Sequence, residues 1–229
     1  MDLLKAILLG ILQGATEFLP ISSSGHLVLA PWLLGWPAPG LAFDTIVHWG
    51  TAVAVIAYFW RDWVALIRAA FCSLRVRSLW DANARLAWFL VIGTVPAAVL
   101  GYALEDFFEA MFSRPVAAAA FLVVTAGILT AAEYLGRRQR DLDALTWRDA
   151  LLIGLAQAVA ILPGISRSGA TIATGLGQGL KREPAARFSF LLATPVILGA
   201  GLLQVADLVQ AGDLASQAPA LVAGFLAAA

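Results

Sequence analysis

Two short stretches hold most of the reactive side chains of this sequence. The first reads Gln13-Gly-Ala-Thr-Glu17-Phe-Leu-Pro-Ile-Ser22-Ser-Ser-Gly-His26. Gln13 and Glu17 are four residues apart, so a helix puts them on one face, and the proline-bounded turn that follows has serines and a glycine able to cap a second half-helix. A carboxylate, several hydroxyls and an imidazole, Glu17 and His26 above all, supply acid/base and nucleophile candidates within one turn of chain. The second stretch reads Leu162-Pro-Gly-Ile-Ser166-Arg-Ser-Gly-Ala-Thr171 and leads into an apolar run with helical character. Here Arg167 stands at a half-helix start, where free backbone N–H groups, the positive end of the helix dipole and the hydroxyls of Ser166, Ser168 and Thr171 can all face an anion. A guanidinium fork suits phosphate oxygens. One stretch with acid, base and hydroxyls and another with an anion cradle fit phosphoryl transfer better than plain anion binding. The structural alternative is a buried Glu17–Arg167 ion pair that only joins the two stretches.

The elements that must position these groups are written in apolar residues. Of 229 residues, 61% are hydrophobic and 13% charged, and mean hydropathy is +0.84, so the bilayer is the solvent for most of the chain. Fifteen basic residues balance fifteen acidic ones, which gives no electrostatic case for a nucleic-acid partner. Segments near 42–60, 86–104, 115–135 and 185–205 are long and apolar enough to span a hydrocarbon core about 30 Å thick. Two others, 3–36 and 150–180, are broken near their middles by the polar stretches and read as re-entrant helical hairpins. A last apolar run, 218–229, is expected as a final span cut short. No hydrophilic stretch is long enough for a separate domain, so residues 1–229 form one integral membrane domain. A cleaved leader is disfavoured because Gln13 and Glu17 interrupt the first apolar run.

The two broken segments resemble each other. A shift of 144 positions aligns Gly10 with Gly154, Gln13 with Gln157, Ser22 with Ser166, Ser24 with Ser168 and Gly25 with Gly169. Three crossings separate them, an odd number, so two hairpins that each return to their own side enter from opposite faces. The expected fold class is therefore an all-α polytopic membrane protein of inverted-topology repeats with two re-entrant helical hairpins. Arg61, Arg68, Arg75, Arg77 and Arg85 make the connection 61–85 basic, the next is acidic with Glu105, Asp106 and Glu109, and Arg137, Arg138 and Arg140 make the third basic, an in-out-in alternation. Most of the eight tryptophans lie near segment ends, as an interfacial belt would have them, with Trp49 the exception.

Asp44 and His48, one helical turn apart inside the first span, invite a metal or proton-relay reading, but a solvated carboxylate near the interface and a satisfied core histidine account for them as well. Gly93, Pro96 and Gly101 read as close packing or a kink. The single cysteine, Cys72, has no partner for a disulfide.

At Gln13-x-x-x-Glu17-Phe-Leu-Pro-Ile-Ser-Ser-Ser-Gly-His26 and Pro163-Gly-Ile-Ser-Arg-Ser-Gly-Ala-Thr171 the sequence resembles the bacterial undecaprenyl-diphosphate phosphatase family, also called bacitracin-resistance proteins. The resemblance covers essentially the whole chain. It implies hydrolysis of undecaprenyl diphosphate to the monophosphate, which recycles the lipid carrier for peptidoglycan and confers bacitracin resistance. It also implies a multi-pass protein of the bacterial inner membrane with its active site open to the periplasm. On the matching positions it makes Glu17, Ser23, His26 and Arg167 catalytic, with Gln13, Ser22, Ser166, Ser168, Gly169 and Thr171 binding substrate. A divalent cation, Mg2+ or Ca2+, is expected near Glu17 and Gln13, and either Ser23 or a water activated by Glu17 and His26 attacks phosphorus. No histidine follows Arg167, which argues against the phosphohistidine route of another lipid phosphatase family. The expected partners are a polyprenyl diphosphate and the bilayer, with a homodimer left open. The family's chains continue through a completed final helix, whereas this sequence stops at Ala229. The rival from another class is a transporter or lipid flippase with an anion site between inverted repeats.

Overall fold

Five of the α-helices described start on a short polar side chain that caps them. Residues 2–229 are described by the computed structural model. The Asp2 carboxylate accepts from the Leu4 amide at 2.9 Å and caps α1 (Leu3–Glu17). Ser22, held in the left-handed region at φ 67°, caps α2 (Ser23–Leu33) through the Gly25 amide. Then follow α3 (Leu41–Tyr58), α4 (Trp60–Val76) and α5 (Ala82–Ala103), the last capped by Asp81. Next come α6 (Glu105–Phe112), α7 (Pro115–Leu135) and α8 (Trp147–Val159), which opens on a Thr146/Asp149 capping box. The chain ends with α9 (Arg167–Gly177), capped by Ser166, then α10 (Arg182–Ala211) and α11 (Leu214–Ala228). Among the described residues there is no strand, only an isolated bridge between Arg140 and Leu180.

The architecture is thus all-α and polytopic, with α3, α5, α7 and α10 long and apolar enough to cross a membrane. Their bounds differ from the expected ones by a few residues, most for α10, which extends past both ends of 185–205. The last apolar helix begins at Leu214 rather than Ala218, because Ala215 to Gln217 continue the turn begun after Gly212. Two connections expected as plain loops are partly helical. The basic stretch 61–85 contains α4, whose Leu66 and Ser73 are buried and whose Ser73 hydroxyl accepts from the Trp88 indole of α5 at 3.0 Å. The acidic stretch contains α6, with Phe108 and Met111 turned inward. Both helices are amphipathic, with charges read as loop charge on their outer faces, arginines on α4 and Glu105, Asp106 and Glu109 on α6.

The repetition seen in sequence recurs in the packing. α1 packs on α11 and α8 on α5, each through a glycine at the aligned position. A Cβ added to Gly10 would lie 2.8 Å from the Ala227 Cβ and 3.1 Å from the Gly224 Cα, and one added to Gly154 would lie 2.7 Å from the Gly93 Cα. Backbone approach of this kind requires glycine on both helices, since small residues let membrane helices gain dispersion contacts. α7 packs against both α2 and α9 and so clasps the two half-helices together. Trp49, out of place for an interfacial belt, sits over Gly201 of α10 and donates its indole N–H to the Ile197 carbonyl at 2.9 Å.

If these glycine crossings set the spacing of the hairpin arms, Gly154→Ala and Gly10→Ala each lower stability by about 1–3 kcal/mol through overpacking. Gly127→Ala, where a Cβ meets nothing within 4 Å, changes it by less than about 0.5 kcal/mol. Thermal unfolding in detergent compares the three; equal midpoints would show that the crossings tolerate a methyl group.

Candidate active site

Each broken segment delivers its reactive groups to the same point. α1 ends at Glu17, and the turn through Pro20 sends the chain back as α2, putting Ser23 at the first helical position. The second break does the same for Arg167 at the start of α9. Ser23 and Arg167 are thus equivalent positions of the repeat. Their caps are built alike: Ser22 and Ser166 accept from the amides of Gly25 and Gly169, and Ser22–Ser24 and Ser166–Ser168 hydroxyl pairs both stand 3.3 Å apart. The two turns meet backbone to backbone, since a Cβ on Gly25 would fall 2.9 Å from the Gly164 Cα. Gly164 has φ +98°, open to glycine alone, and Thr125 of α7 fixes it by donating to its carbonyl at 2.9 Å while accepting from the Ser166 amide at 3.0 Å.

Glu17 is the hub. It is 6% exposed, and its Oε1 accepts from Arg167 Nη2. Its Oε2 accepts from Ser23 Oγ at 2.5 Å and from Gln13 Nε2 at 2.9 Å, with His48 Nε2 at 3.5 Å. The carboxylate's lone pairs are therefore used, and its charge is offset by a guanidinium. Arg167 keeps its Nη1 buried without a protein partner, a donor available to an anion.

His48 completes the cluster. Its Nδ1 lies 2.6 Å from the Asp44 carbonyl, and because a carbonyl only accepts, the proton sits on Nδ1 and the Nε2 lone pair is left pointing inward. That Nε2 is 3.4 Å from Ser23 Oγ. The arrangement is a hydroxyl with two proton acceptors, oriented by a backbone carbonyl, facing a cation.

The cavity these groups line has a volume of about 160 Å³ and includes Glu17, Ser22, Ser23, Asp44, His48, Gln157, Ser166, Arg167 and Ser168. The amino ends of α2 and α9 both open into it, so two sets of N-terminal amides without intrahelical acceptors face one space. Leu41, Thr45, Phe112, Ile161, Val196 and Ala200 are shared with a larger, mostly apolar groove of about 580 Å³ between α3, α5, α6 and α10.

Of the residues singled out in the sequence, Glu17, Ser22, Ser23, Ser166, Arg167 and Ser168 come together here. Gln13 is fully buried behind Glu17 and does not line the cavity. His26 turns back along α2 to donate its Nδ1–H to the Ser22 carbonyl at 2.7 Å, outside the cavity lining. Gly169 spends its amide on Ser166, and Thr171 is bonded to the Arg167 carbonyl at 2.8 Å and to Ser189 at 2.6 Å, so these two shape the α9 turn without facing the cavity. The residues underweighted in the sequence are Asp44 and His48, whose signal was their i, i+4 spacing in an apolar span, and Gln157, whose signal was its alignment with Gln13. Among the described residues no cluster of three or more His, Cys, Asp or Glu forms a metal cage.

Residues 6–229 match the family described as bacitracin resistance protein BacA. The chain is similar to the undecaprenyl-diphosphatase of Desulforudis audaxviator, 49% identical over 90% of this chain and 77% of that protein. It is similar also to those of Thermomicrobium roseum, 48% identical over 100% of this chain and 85% of that one, and Geobacter sulfurreducens, 46% identical with the same coverage.

Removal of one partner from the Glu17–Arg167 pair leaves the other charge buried alone. Glu17→Gln and Arg167→Gln should each cost about 3–5 kcal/mol of stability, and the double variant clearly less than the sum. A double-variant cycle by thermal unfolding measures this; additive losses would mean the two charges do not interact.

Proposed function

This chain belongs to the bacitracin resistance protein BacA family, and we infer that it is an undecaprenyl-diphosphatase, a multi-pass membrane enzyme that hydrolyses undecaprenyl diphosphate to undecaprenyl phosphate and inorganic phosphate. The activity returns the lipid carrier to cell-wall synthesis and gives bacitracin resistance. The observation that carries the reading is the convergence of Ser23, Glu17, His48 and the free Nη1 of Arg167 on one polar cavity that is continuous with an apolar groove. A diphosphate headgroup on an isoprenoid chain needs both compartments. A transporter or flippase needs an anion site but no hydroxyl held between two proton acceptors.

In the mechanism proposed, Arg167 and the amides that open α2 and α9 bind the headgroup and take up the negative charge that builds on the equatorial oxygens. Ser23 Oγ attacks the terminal phosphorus while its proton passes to His48 Nε2 or Glu17. The bond from that phosphorus to the bridging oxygen breaks, and undecaprenyl phosphate leaves. The protonated base gives its proton to the leaving undecaprenyl phosphate. Water then attacks the phosphoserine and gives a proton to the freed base, and as the Ser23 Oγ–phosphorus bond breaks the base passes that proton to Ser23 Oγ and inorganic phosphate leaves. The imidazole within reach of Ser23 is that of His48, so it takes the proton-moving part expected of His26. A divalent cation, Mg2+ or Ca2+, suits this site as counter-ion to the diphosphate, but not at the expected Glu17/Gln13 position: Gln13 Oε1 is buried without a partner there, while both Glu17 oxygens are engaged by Arg167, Ser23 and Gln13. When bound, the ion would neutralise the diphosphate and strengthen its leaving group.

The proposed location is the inner membrane with the site open to the periplasm. In support, Phe112 of the acidic α6 lines the cavity, whereas the arginine-rich connections lie at the opposite ends of α5 and α7.

Phosphate release from undecaprenyl diphosphate in detergent tests the reading. Ser23→Ala and His48→Gln should lower kcat by about 10²–10⁴, and Arg167→Lys by about 10²–10³. A phosphoserine at Ser23 should accumulate on rapid quench. Undiminished turnover by Ser23→Ala would rule out the serine route in favour of attack by water. Gly199→Phe fills the groove from a position where a Cβ meets nothing within 4 Å, and should raise KM for undecaprenyl diphosphate more than for farnesyl diphosphate.

A further inference from the structure

Asp44 is the acidic group in this cavity that nothing in the mechanism uses. It lies in the first turns of α3, 5% exposed, and among the described residues its carboxylate enters no hydrogen bond or ion pair. Its Oδ1 is buried without any partner. Its main-chain carbonyl orients His48, but that contact leaves the side chain free.

Within the cavity, Glu17 and Arg167 offset each other, which leaves Asp44 as a carboxyl on the wall without a charge partner. With a polyanionic headgroup in this space, the carboxylate form of Asp44 is tolerated only where a cation lies between them. Glu17 is poorly placed to hold that cation, since both its oxygens are already engaged by Arg167, Ser23 and Gln13. Asp44 also lines a neighbouring vestibule of about 290 Å³ with Trp36, Gly40 and Glu109, so an ion coming through it reaches Asp44 on the way to the phosphates. Gln157, on the same cavity wall, presents a second buried oxygen without a partner.

We propose that Asp44 is the anchoring ligand of a divalent cation that binds together with the diphosphate, with the Gln157 amide oxygen as a neutral second donor and phosphate oxygens and water completing the shell. One or two protein oxygens plus substrate phosphates is the usual complement for Mg2+. The proposal rests on the phosphatase reading for the identity of the anion and adds the residue that makes a cation necessary.

The test uses Mn2+ with methylenediphosphonate, a diphosphate that cannot be hydrolysed, on the full chain in detergent. Loss of the free-ion electron paramagnetic resonance signal reports binding. The wild type should bind Mn2+ more tightly when the diphosphonate is present, and Asp44→Asn should weaken that binding tenfold or more. Without cation, Asp44→Asn should melt at or above the wild-type temperature, because it replaces a buried carboxyl that has no partner. A variant that binds Mn2+ like the wild type, or that melts far below it, overturns the proposal. A second measurement needs no variant: Fe2+ with ascorbate and peroxide should cut the wild-type backbone near Asp44, and cuts confined to Gln13–Glu17 would overturn it equally. Failure of the wild type to release phosphate from undecaprenyl diphosphate with Mn2+ would count against the phosphatase reading alone, since Mn2+ binding with the diphosphonate is read separately.

Discussion

The ion pair between Glu17 and Arg167 is the constraint on which the rest of the molecule depends. Two opposite charges taken out of water lose hydration that their mutual attraction restores only when further hydrogen bonds fill the remaining lone pairs. Ser23 and Gln13 supply those bonds on the Glu17 side. For the pair to meet at all, two turns from distant parts of the chain must touch, and they do so through Gly25 and Gly164, where even one methyl group would intrude. Those turns are held in turn by Thr125 and by arms whose spacing is set by the Gly10–Gly224 and Gly154–Gly93 crossings. A change several layers away can therefore reach the carboxylate without touching it.

The two halves share a scaffold and differ where chemistry is needed. Caps, hydroxyl pairs and crossing glycines recur at aligned positions, yet the first helical residue is Ser23 in one half and Arg167 in the other. Glu17 has Ile161 as its counterpart, and Ile161 lines both the polar cavity and the apolar groove. In the proposed reading, the second hairpin brings a cation for the headgroup together with an apolar wall for the chain attached to it. Duplicated geometry lets a hydroxyl and a guanidinium stand across a single carboxylate, which one helix start could not provide.

Much of this was legible in the sequence because polar residues inside an apolar segment have few places to go. The breaks at Pro20 and Pro163, the serine caps and the Glu17/Arg167 pairing all follow from that cost. What escaped was direction. His26 is close to Glu17 along the chain, but as the fourth residue of α2 its ring bonds the carbonyl one turn back, while His48 arrives from α3 on the correct side. Thr171 follows Arg167 by one turn, and its hydroxyl is taken by the helix backbone and Ser189. Helix α4 was hidden because five arginines between 61 and 85 read as a loop, whereas its buried Leu66 and Ser73 mark a narrow inward stripe.

Buried polar atoms without partners are rare in folded proteins, and each normally asks for an explanation. In this chain they gather near the site: Gln13 Oε1, Asp44 Oδ1, both amide atoms of Gln157, and Arg167 Nη1, with Trp63 Nε1 and Arg138 Nε elsewhere. Their signs are mixed, oxygens beside nitrogens, which is what a surface must offer if it is to receive an anion and its counter-cation together. A site complementary to the anion alone would have no use for Asp44, and one complementary to a cation alone would have no use for the free arm of Arg167. The unpaired atoms therefore offer both signs of partner, which suits a ligand that carries both charges.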